Sequence, residues 1–296
     1  MEKNLKVEKV QGAALLEGPF WDEGQICLFC VDILNNKLIA YDVEKQSIEE
    51  VILETNITSV ILDQNHSIFL SLRDKWGLFD KAGKFVKPLV YLENMKPSMR
   101  FNDGKVDPYG RFWLGTMSED DNRGEASLYL IDHNGKVTES KKGITISNGL
   151  AWNKEGTMIY TIDTPSKKIM SYPFSEKTEV LKGGEVVFDF TDTIGSPDGM
   201  TIDENDHLWV ALWGGGRVVC IDPQEKKVVD QISLPVTNVT SCTFGDHDFK
   251  TLYITTASEG LSEEQHKREP LAGSLFSYRL NVAGAVSRKY KYNVDR

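Results

Sequence analysis

The sequence predicts an all-β fold, a six-bladed β-propeller with four antiparallel strands in each blade. The main observation is a short sequence motif that recurs six times, about 41 to 50 residues apart, which is the spacing of propeller blades. Each copy has an apolar pair, an Asp or a substitute for it, a tight polar turn and a second apolar run. The copies are anchored, in chain order, on Asp22, Asp63, Asp107, Asn153, Asp203 and Gly245.

A second recurring sequence motif supplies further strands of each repeat. It alternates apolar and polar residues with a period of two and ends in turn residues, as half-buried antiparallel strands do. Its copies are NKLIAYD, WGLFDKAGK, SLYLIDHNGK, KKIMSYPF, GRVVCIDPQEKK and GSLFSYRL. Long helical periodicity is absent, and the polar stretches 117–127 and 258–269 are expected to be loops. No composition shift marks a linker, so we expect one propeller domain over residues 1–296.

The first strand of each repeat is predicted to be the innermost. Glycine directly follows Glu17, Asn148 and Asp198 near the start of three of these strands. Glycine within a strand is costly unless a backbone or a ligand must come close, as happens at the crowded centre of a propeller. Because the first strands all run in the same direction, the residues at their starts should lie at one mouth of the central channel.

An oxygen-bearing side chain stands five positions before every anchor. Equivalent positions in a radial repeat have equivalent radius and height, so these side chains should form one ring. The ring members are Glu17, Thr58, Asn102, Asn148, Asp198 and Thr240.

Two carboxylates crowded near an axis repel each other and lose hydration, and a divalent cation between them would relieve both costs. Oxygen ligands without His or Cys favour calcium, magnesium or manganese over zinc. The alternative is that the ring residues cap strand ends or bind channel water.

Composition and charge exclude several classes of function. The chain has 296 residues, 40% of them hydrophobic, and a formal net charge of -10 with scattered Lys and Arg, so a nucleic-acid partner is disfavoured. The first residues contain no apolar run long enough for a signal peptide, and no run of 18 apolar residues occurs, so we expect a cytoplasmic protein without a membrane partner.

The four cysteines do not suggest a disulfide framework or a structural zinc site. Cys27 and Cys30 are three apart in an apolar run, where their side chains point to opposite faces of a strand. We therefore expect buried, unpaired cysteines.

Several longer stretches are similar to one known family. They are LLEGPFWDE, MRFNDGKVDPYGRFWLGTM, ISNGLAW, GSPDGMTID, LWVALWGGGRV and LPVTNVTSCTFG. From about residue 14 to about residue 280 the chain resembles the regucalcin (senescence marker protein) and gluconolactonase family of six-bladed propellers. The resemblance implies one divalent metal ion held by Glu17, Asn148 and Asp198. It also implies that Arg100, Asn102 and an acidic residue in the loop after Met117 hold substrate oxygens.

The sequence departs from the family pattern in that loop. Mammalian regucalcins have Ala-Glu-Glu after the Gly-Thr-Met, and the second Glu touches the sugar, whereas this chain has Ser118, Glu119 and Asp120. Direct alignment places Asp120 at the contact position, and Glu119 would replace it if the loop shifts.

These observations predict a metal-dependent hydrolase that opens a lactone ring, with a sugar lactone such as gluconolactone as the expected substrate. Asp198 is the expected general base and Glu17 a charge-balancing ligand. Calcium is the first candidate for the metal, with zinc, magnesium or manganese as alternatives. The alternative functions are an organophosphate or ester hydrolase, and a non-catalytic propeller that binds calcium or a sugar. We expect a monomer or a weak homodimer.

Overall fold

The computed structural model describes residues 4–93, 95–120 and 122–293. In these residues the chain forms six antiparallel sheets of four strands each, arranged in a ring. The predicted six-bladed β-propeller is therefore confirmed. The first strand, β1 (Leu5–Val7), precedes the first blade in the sequence.

The blades follow one another along the chain. Blades 1 and 2 consist of β2 (Leu16–Asp22), β3 (Cys27–Asp32), β4 (Lys37–Asp42), β5 (Ser47–Ile52), β6 (Ile57–Leu62), β7 (Ile68–Leu72), β8 (Lys75–Asp80) and β9 (Phe85–Tyr91). Blades 3 and 4 consist of β10 (Met99–Val106), β11 (Phe112–Ser118), β12 (Ala126–Ile131), β13 (Val137–Ile144), β14 (Ser147–Trp152), β15 (Met158–Asp163), β16 (Lys168–Pro173) and β17 (Glu185–Asp189). Blades 5 and 6 consist of β18 (Ser196–Ile202), β19 (Leu208–Trp213), β20 (Arg217–Asp222), β21 (Lys227–Ser233), β22 (Asn238–Gly245), β23 (Thr251–Ala257), β24 (Phe276–Arg279) and β1.

The first strand of each repeat is the innermost, as predicted. These strands (β2, β6, β10, β14, β18 and β22) each stand at one end of their sheet and contact the corresponding strands of the two neighbouring blades. Together they enclose the central channel. Their residues are almost all buried, whereas the outer strands β5 and β21 are mostly exposed.

The N-terminal strand closes the ring. Strand β1 pairs antiparallel with β24, with Leu5 opposite Tyr278, and so completes blade 6. Leu5 is buried in an apolar cluster between blades 5 and 6 that includes Trp209 and Phe244. The two ends of the chain are thus joined by a β-ladder.

The recurrent Asp of the repeat stabilises a turn between the first two strands of a blade. Asp107 Oδ1 accepts hydrogen bonds from the backbone of Tyr109 and Arg111, and its Oδ2 accepts one from Trp113 Nε1. Asp203 makes the equivalent bonds, including one from Trp209 Nε1 at 3.0 Å. The anchor residues are therefore structural.

The structure corrects the expectation that 258–269 is entirely a loop. This stretch contains a short helix, α1 (Glu263–Arg268). Ser262 and Gln265 form a reciprocal capping box, and acidic residues occupy the first turn while basic residues occupy the last. Such caps and charges stabilise a helix that lacks a buried face. Across the described residues, the structure has no helix with the length and apolar character that crossing a membrane would require.

Candidate metal and substrate site

A β-bulge or comparable irregularity lies at the ring position of all six innermost strands. The register shifts fall between Glu17 and Phe20 in blade 1 and at the corresponding places in the other blades. An extra residue in a strand interrupts the strict alternation of side chains and re-aims one of them. The repeated irregularity therefore releases the ring side chains from the strict alternation of the strand.

Two of the glycines noted in the sequence permit close approach between innermost strands. A Cβ atom on Gly149, whose φ is +27°, would lie 2.7 Å from the carbonyl oxygen of Asp198. A Cβ atom on Gly199 would lie 2.1 Å from Ser241 Oγ and 2.8 Å from Ser241 Cα. Glycine is required at both positions because the neighbouring backbone cannot move away.

The two threonines of the ring use their hydroxyl groups within the protein. Thr58 Oγ1 donates to the carbonyl oxygen of Ser71 at 3.3 Å. Thr240 Oγ1 donates to the carbonyl oxygen of Leu16 at 2.6 Å and also contacts Thr255. Both side chains are buried. The other ring members, which carry carboxyl or amide groups, come from blades 1, 3, 4 and 5.

A chain of hydrogen bonds joins blades 3, 4 and 5 at this level of the channel. Arg100 Nη1 donates to Asn102 Oδ1 at 2.7 Å, and Asn102 Nδ2 donates to Asn148 Oδ1 at 2.8 Å. Asn148 Nδ2 donates to Thr164 Oγ1, which in turn donates to the carbonyl oxygen of Pro197, each at 2.8 Å. The chain holds the amide groups of both asparagines in a fixed orientation and ends beside Asp198.

The two ring carboxyls have strongly perturbed acidity. Burial raises the pKa of Glu17 to about 8, and the nearby Asp103 carboxyl contributes in the same direction. Burial also raises the pKa of Asp198 well above its usual range, with further contributions from Glu17 and Asp103. Arg100 opposes both shifts, but as the weakest of the causes. The anionic forms of both carboxyls are thus disfavoured, and Arg100, the cation that acts on both, does not offset this.

Asp103 is a channel residue that the six-fold repeat does not predict. It follows Asn102, and strict alternation along a strand would point its side chain away from the channel. The irregularity between Phe101 and Gly104 removes that alternation. Burial raises the pKa of the Asp103 carboxyl, while the nearby Lys105 acts against this shift. The Asn-Asp pair immediately before a glycine was the available signal.

A cavity of about 280 Å³ is lined by residues that follow the ring positions, among them Phe20, Asp103, Lys105 and Trp152. Arg100, which precedes the ring position on β10, is buried and is not among the lining residues. The Lys105 ammonium donates to the carbonyl oxygen of Met200 at 2.7 Å.

The loop after β11 brings Glu119, rather than Asp120, to Arg100. Glu119 Oε1 lies 3.6 Å from Arg100 Nε, and the Glu119 carboxylate also pairs with Arg73. Asp120 is exposed, and no hydrogen bond or ion pair reaches its side chain in the described part of the chain. Asp121, predicted to belong to the same loop, lies outside the described residues.

A different cluster of possible metal ligands lies in a blade 5 turn. Ligand atoms of Asp203, His207 and Cys220 lie within 4.8 Å of one another. However, both Asp203 oxygens already accept hydrogen bonds from the turn and from Trp209, and burial raises the pKa of the Cys220 thiol. A protonated thiol is a poor metal ligand, and the Asp203 carboxylate already accepts three hydrogen bonds. We therefore assign this cluster to the turn.

Comparison with known proteins shows one consistent relationship. Residues 15–258 match the family described as "SMP-30/Gluconolactonase/LRE-like region". A protein of Bacillus subtilis (strain 168) named "Putative sugar lactone lactonase YvrE" is 39% identical over 272 residues, which cover 92% of this chain and 93% of that protein. Regucalcin of Xenopus laevis is 34% identical over 265 residues, which cover 88% of this chain and 89% of that protein.

Solved structures agree with these matches. A calcium-binding protein, regucalcin, from Agrobacterium tumefaciens superposes with a TM-score of 0.90 at 27% identity, covering 96% of both chains. A luciferin-regenerating enzyme superposes with a TM-score of 0.89 at 28% identity, covering 97% of this chain and 99% of that one. A gluconolactonase from Xanthomonas campestris, at 19% identity and a TM-score of 0.73, shares the fold.

Proposed function

Because this chain belongs to the SMP-30/gluconolactonase/LRE-like family, we propose that it hydrolyses a lactone, with a sugar lactone as substrate and a divalent metal ion as cofactor. The observation that carries the proposal is the pair of carboxyls, Glu17 and Asp198, at one level of the channel beside Arg100. Its relatives include proteins named as a sugar lactone lactonase and as regucalcins, which supports the choice of substrate class.

The donor set fits a hard divalent cation. Glu17 and Asp198 would supply carboxylate oxygens and Asn148 an amide oxygen, which are ligands that calcium, magnesium and manganese accept. Burial raises the pKa of both carboxyls, the Asp103 carboxyl adds to both shifts, and Glu17 adds to the shift of Asp198; a bound cation would relieve this cost of holding negative charge. A titration series with calcium, zinc, magnesium and manganese would identify the cofactor.

A divalent cation bound here would polarise the lactone carbonyl and increase the acidity of a nearby water. Asp198 is the proposed general base, because no hydrogen bond within the described residues occupies its carboxylate. It would accept a proton as the water oxygen bonds to the carbonyl carbon. The C–O bond within the lactone ring then breaks, and the same proton passes to the departing alkoxide, which yields a hydroxy acid.

Arg100 and Asn102 are proposed to hold the substrate oxygens. Arg100 is 8% exposed, and its Nη1 already donates to the carbonyl oxygen of Phe101 and to Asn102 Oδ1. Its remaining N–H groups can donate to the hydroxyl groups of a sugar lactone. Because Asn102 and Glu119 both hold the Arg100 guanidinium, it would orient the lactone without a large loss of side-chain entropy.

The test is a hydrolysis assay of the metal-stripped protein. Proton release from gluconolactone, an aromatic lactone and a phosphotriester would be followed after addition of each metal ion, with the spontaneous rate subtracted. We expect metal-dependent hydrolysis of the sugar lactone above the other two substrates. The absence of hydrolysis with every metal would instead favour a non-catalytic binding propeller.

A further inference from the structure

The Arg73 guanidinium holds the Glu119 carboxylate across the boundary between blades 2 and 3. Arg73 directly follows β7, and Glu119 directly follows β11. Arg73 Nη2 lies 2.6 Å from Glu119 Oε2, and Nη1 lies 3.3 Å from Glu119 Oε1. A two-point contact between a guanidinium and a carboxylate fixes both the position and the plane of the carboxylate.

A second guanidinium lies on the channel side of the same carboxylate. Arg100 Nε is 3.6 Å from Glu119 Oε1, and the Arg100 side chain is only 9% exposed, against 35% for Arg73. Arg100 in turn donates to Asn102 Oδ1 at 2.7 Å. Glu119 therefore connects an outer arginine to the hydrogen-bond chain of the polar ring.

The backbone around Arg73 supports this arrangement. The Arg73 carbonyl oxygen accepts from the Phe101 N–H at 2.8 Å, and its guanidinium also donates to the carbonyl oxygen of Pro97. The Glu119 N–H donates to the carbonyl oxygen of Ser98 at 2.8 Å. Arg73 thus contacts the segment that leads into β10 and the loop that carries Glu119.

The Arg73–Glu119 pair is too exposed for its main effect to be on stability. Both side chains are more than one-third accessible, at 35% and 37%, and exposed ion pairs contribute little to folding. A carboxylate has about four acceptor positions, and the two arginines occupy at most three of them. One acceptor position of Glu119 is left, and among the described residues no hydrogen bond uses Arg100 Nη2, so a hydroxyl-bearing ligand can accept from Arg100 and donate to Glu119.

We propose that Arg73 is a positioning residue that holds Glu119 against Arg100 and thereby sets the affinity for polyhydroxylated ligands. This inference rests on the proposed function for the identity of the reaction, but not for the binding of hydroxyl groups. It also assigns the acidic contact of this loop to Glu119 rather than to Asp120. Without Arg73, Glu119 is free to leave Arg100 for solvent.

The experiment compares Arg73→Ala and Arg73→Lys with a matched control, Lys96→Ala. Lys96 pairs with Glu125 at 2.7 Å near the same loop, so its removal deletes one positive charge and one ion pair but no contact with Glu119. Kinetics would be measured with glucono-1,5-lactone and with δ-valerolactone, which has the same ring size but no hydroxyl groups. Thermal unfolding of each variant checks that the protein is folded.

We expect Arg73→Ala to raise KM for gluconolactone about tenfold, the effect of one lost charged hydrogen bond, with kcat within about twofold. KM for δ-valerolactone should not change, and Lys96→Ala should behave as the parent protein. Arg73→Lys should be intermediate because an ammonium cannot hold the carboxylate at two points. An Arg73→Ala effect that is equal for both lactones, or equal to that of Lys96→Ala, would overturn the proposal.

A binding measurement separates this inference from the proposed function. Calorimetric titration with 1,5-anhydro-D-glucitol, which has the hydroxyl groups of the sugar ring but no carbonyl, requires no hydrolysis. Weaker binding by Arg73→Ala supports the inference even if the parent protein hydrolyses no lactone, in which case only the proposed function fails. No binding by the parent, or a loss with Asp120→Asn but not with Arg73→Ala, would show the inference to be wrong.

Discussion

At the residue scale, Glu17 and Asp198 carry the same charge but have different hydrogen-bond partners. The Gly18 N–H donates to Glu17 Oε2 at 2.9 Å. In the described ranges of the chain, no such donor reaches the Asp198 carboxylate. A carboxylate with free lone pairs is better able to accept the proton of a water molecule. This difference supports Asp198 as the base and Glu17 as a ligand.

The first prediction compares two substitutions that remove the same formal charge. Asp198→Asn should reduce kcat by about 10²- to 10⁴-fold, because its amide keeps an oxygen for the metal but cannot accept a proton. Glu17→Gln should lower metal affinity and retain much more of kcat. Both would be assayed at saturating metal. Equal losses would mean that Asp198 is an ordinary ligand and that the base lies elsewhere.

The second prediction concerns pH. The pKa of Glu17 is raised to about 8, so the carboxyl must lose a proton when a cation binds at neutral pH. Metal affinity should therefore rise between about pH 6 and pH 8, with proton release that calorimetry in buffers of different ionisation enthalpy can count. Glu17→Gln should release fewer protons. A pH-independent affinity would contradict the assignment of Glu17 as a ligand.

The same shift has a consequence for the metal-free protein. Since the folded state binds more protons than the unfolded state between the ordinary pKa of 4.5 and about 8, the free energy of unfolding should fall as pH rises through this range. Thermal unfolding of the metal-stripped protein at several pH values would measure this decrease in stability. Saturating metal should reduce the dependence of stability on pH.

At the scale of single elements, the irregularities in the innermost strands and the 3₁₀ turn Thr164–Ser166 place the site. Pro165 follows Thr164 at the start of that turn, where its fixed φ suits the turn. Thr164 Oγ1 then accepts from Asn148 Nδ2 and donates to the carbonyl oxygen of Pro197. One hydroxyl thus sets the orientation of a proposed metal ligand.

The third prediction tests that hydroxyl. Thr164→Val keeps the shape of the side chain but leaves Asn148 Nδ2 without its acceptor, so metal affinity should fall about tenfold, as for other groups that orient ligands. Thr157→Val, the same change at an exposed position of blade 4, is the control. Both affinities would be measured by direct titration. An unchanged affinity in Thr164→Val would show that Asn148 is oriented by Asn102 alone.

At the scale of the whole molecule, the ladder between β1 and β24 closes the ring. A propeller closed in this way cannot lose its N-terminal strand without exposing the edge of blade 6. The strand is short, Leu5–Val7; Leu5 is 4% exposed, and Val7 packs, partly buried, against the same apolar cluster. Truncation of Leu5, the more deeply buried of the two, should therefore weaken the closure of the ring.

The fourth prediction is that Leu5→Ala lowers the free energy of unfolding by about 2–3 kcal/mol, the cost of truncating a buried leucine. Lys6→Ala, on the exposed face of the same strand, should change it by less than about 0.5 kcal/mol. Chemical denaturation of both variants with metal present would compare them. Equal effects would mean that the strand contributes only its backbone hydrogen bonds.

Much of the fold and part of the candidate site could be predicted from the repeat. Six equivalent motifs required six equivalent blades, and the shared register picked out the six ring positions, whereas the choice of Glu17, Asn148 and Asp198 among them came from the family resemblance. The pattern could not show that Thr58 and Thr240 direct their hydroxyls into the protein. Residue type alone does not tell which way a side chain turns at a bulge.

The sequence by itself determined the blade count, the order of strands within each blade and the level of the channel at which polar groups collect, because a periodic pattern constrains every copy in the same way. Only the tertiary structure decided the features that break the period. Irregular strand register brings Asp103 into the channel, and the path of a non-repeating loop places Glu119, not Asp120, beside Arg100. Such details depend on contacts between blades, which no single repeat encodes.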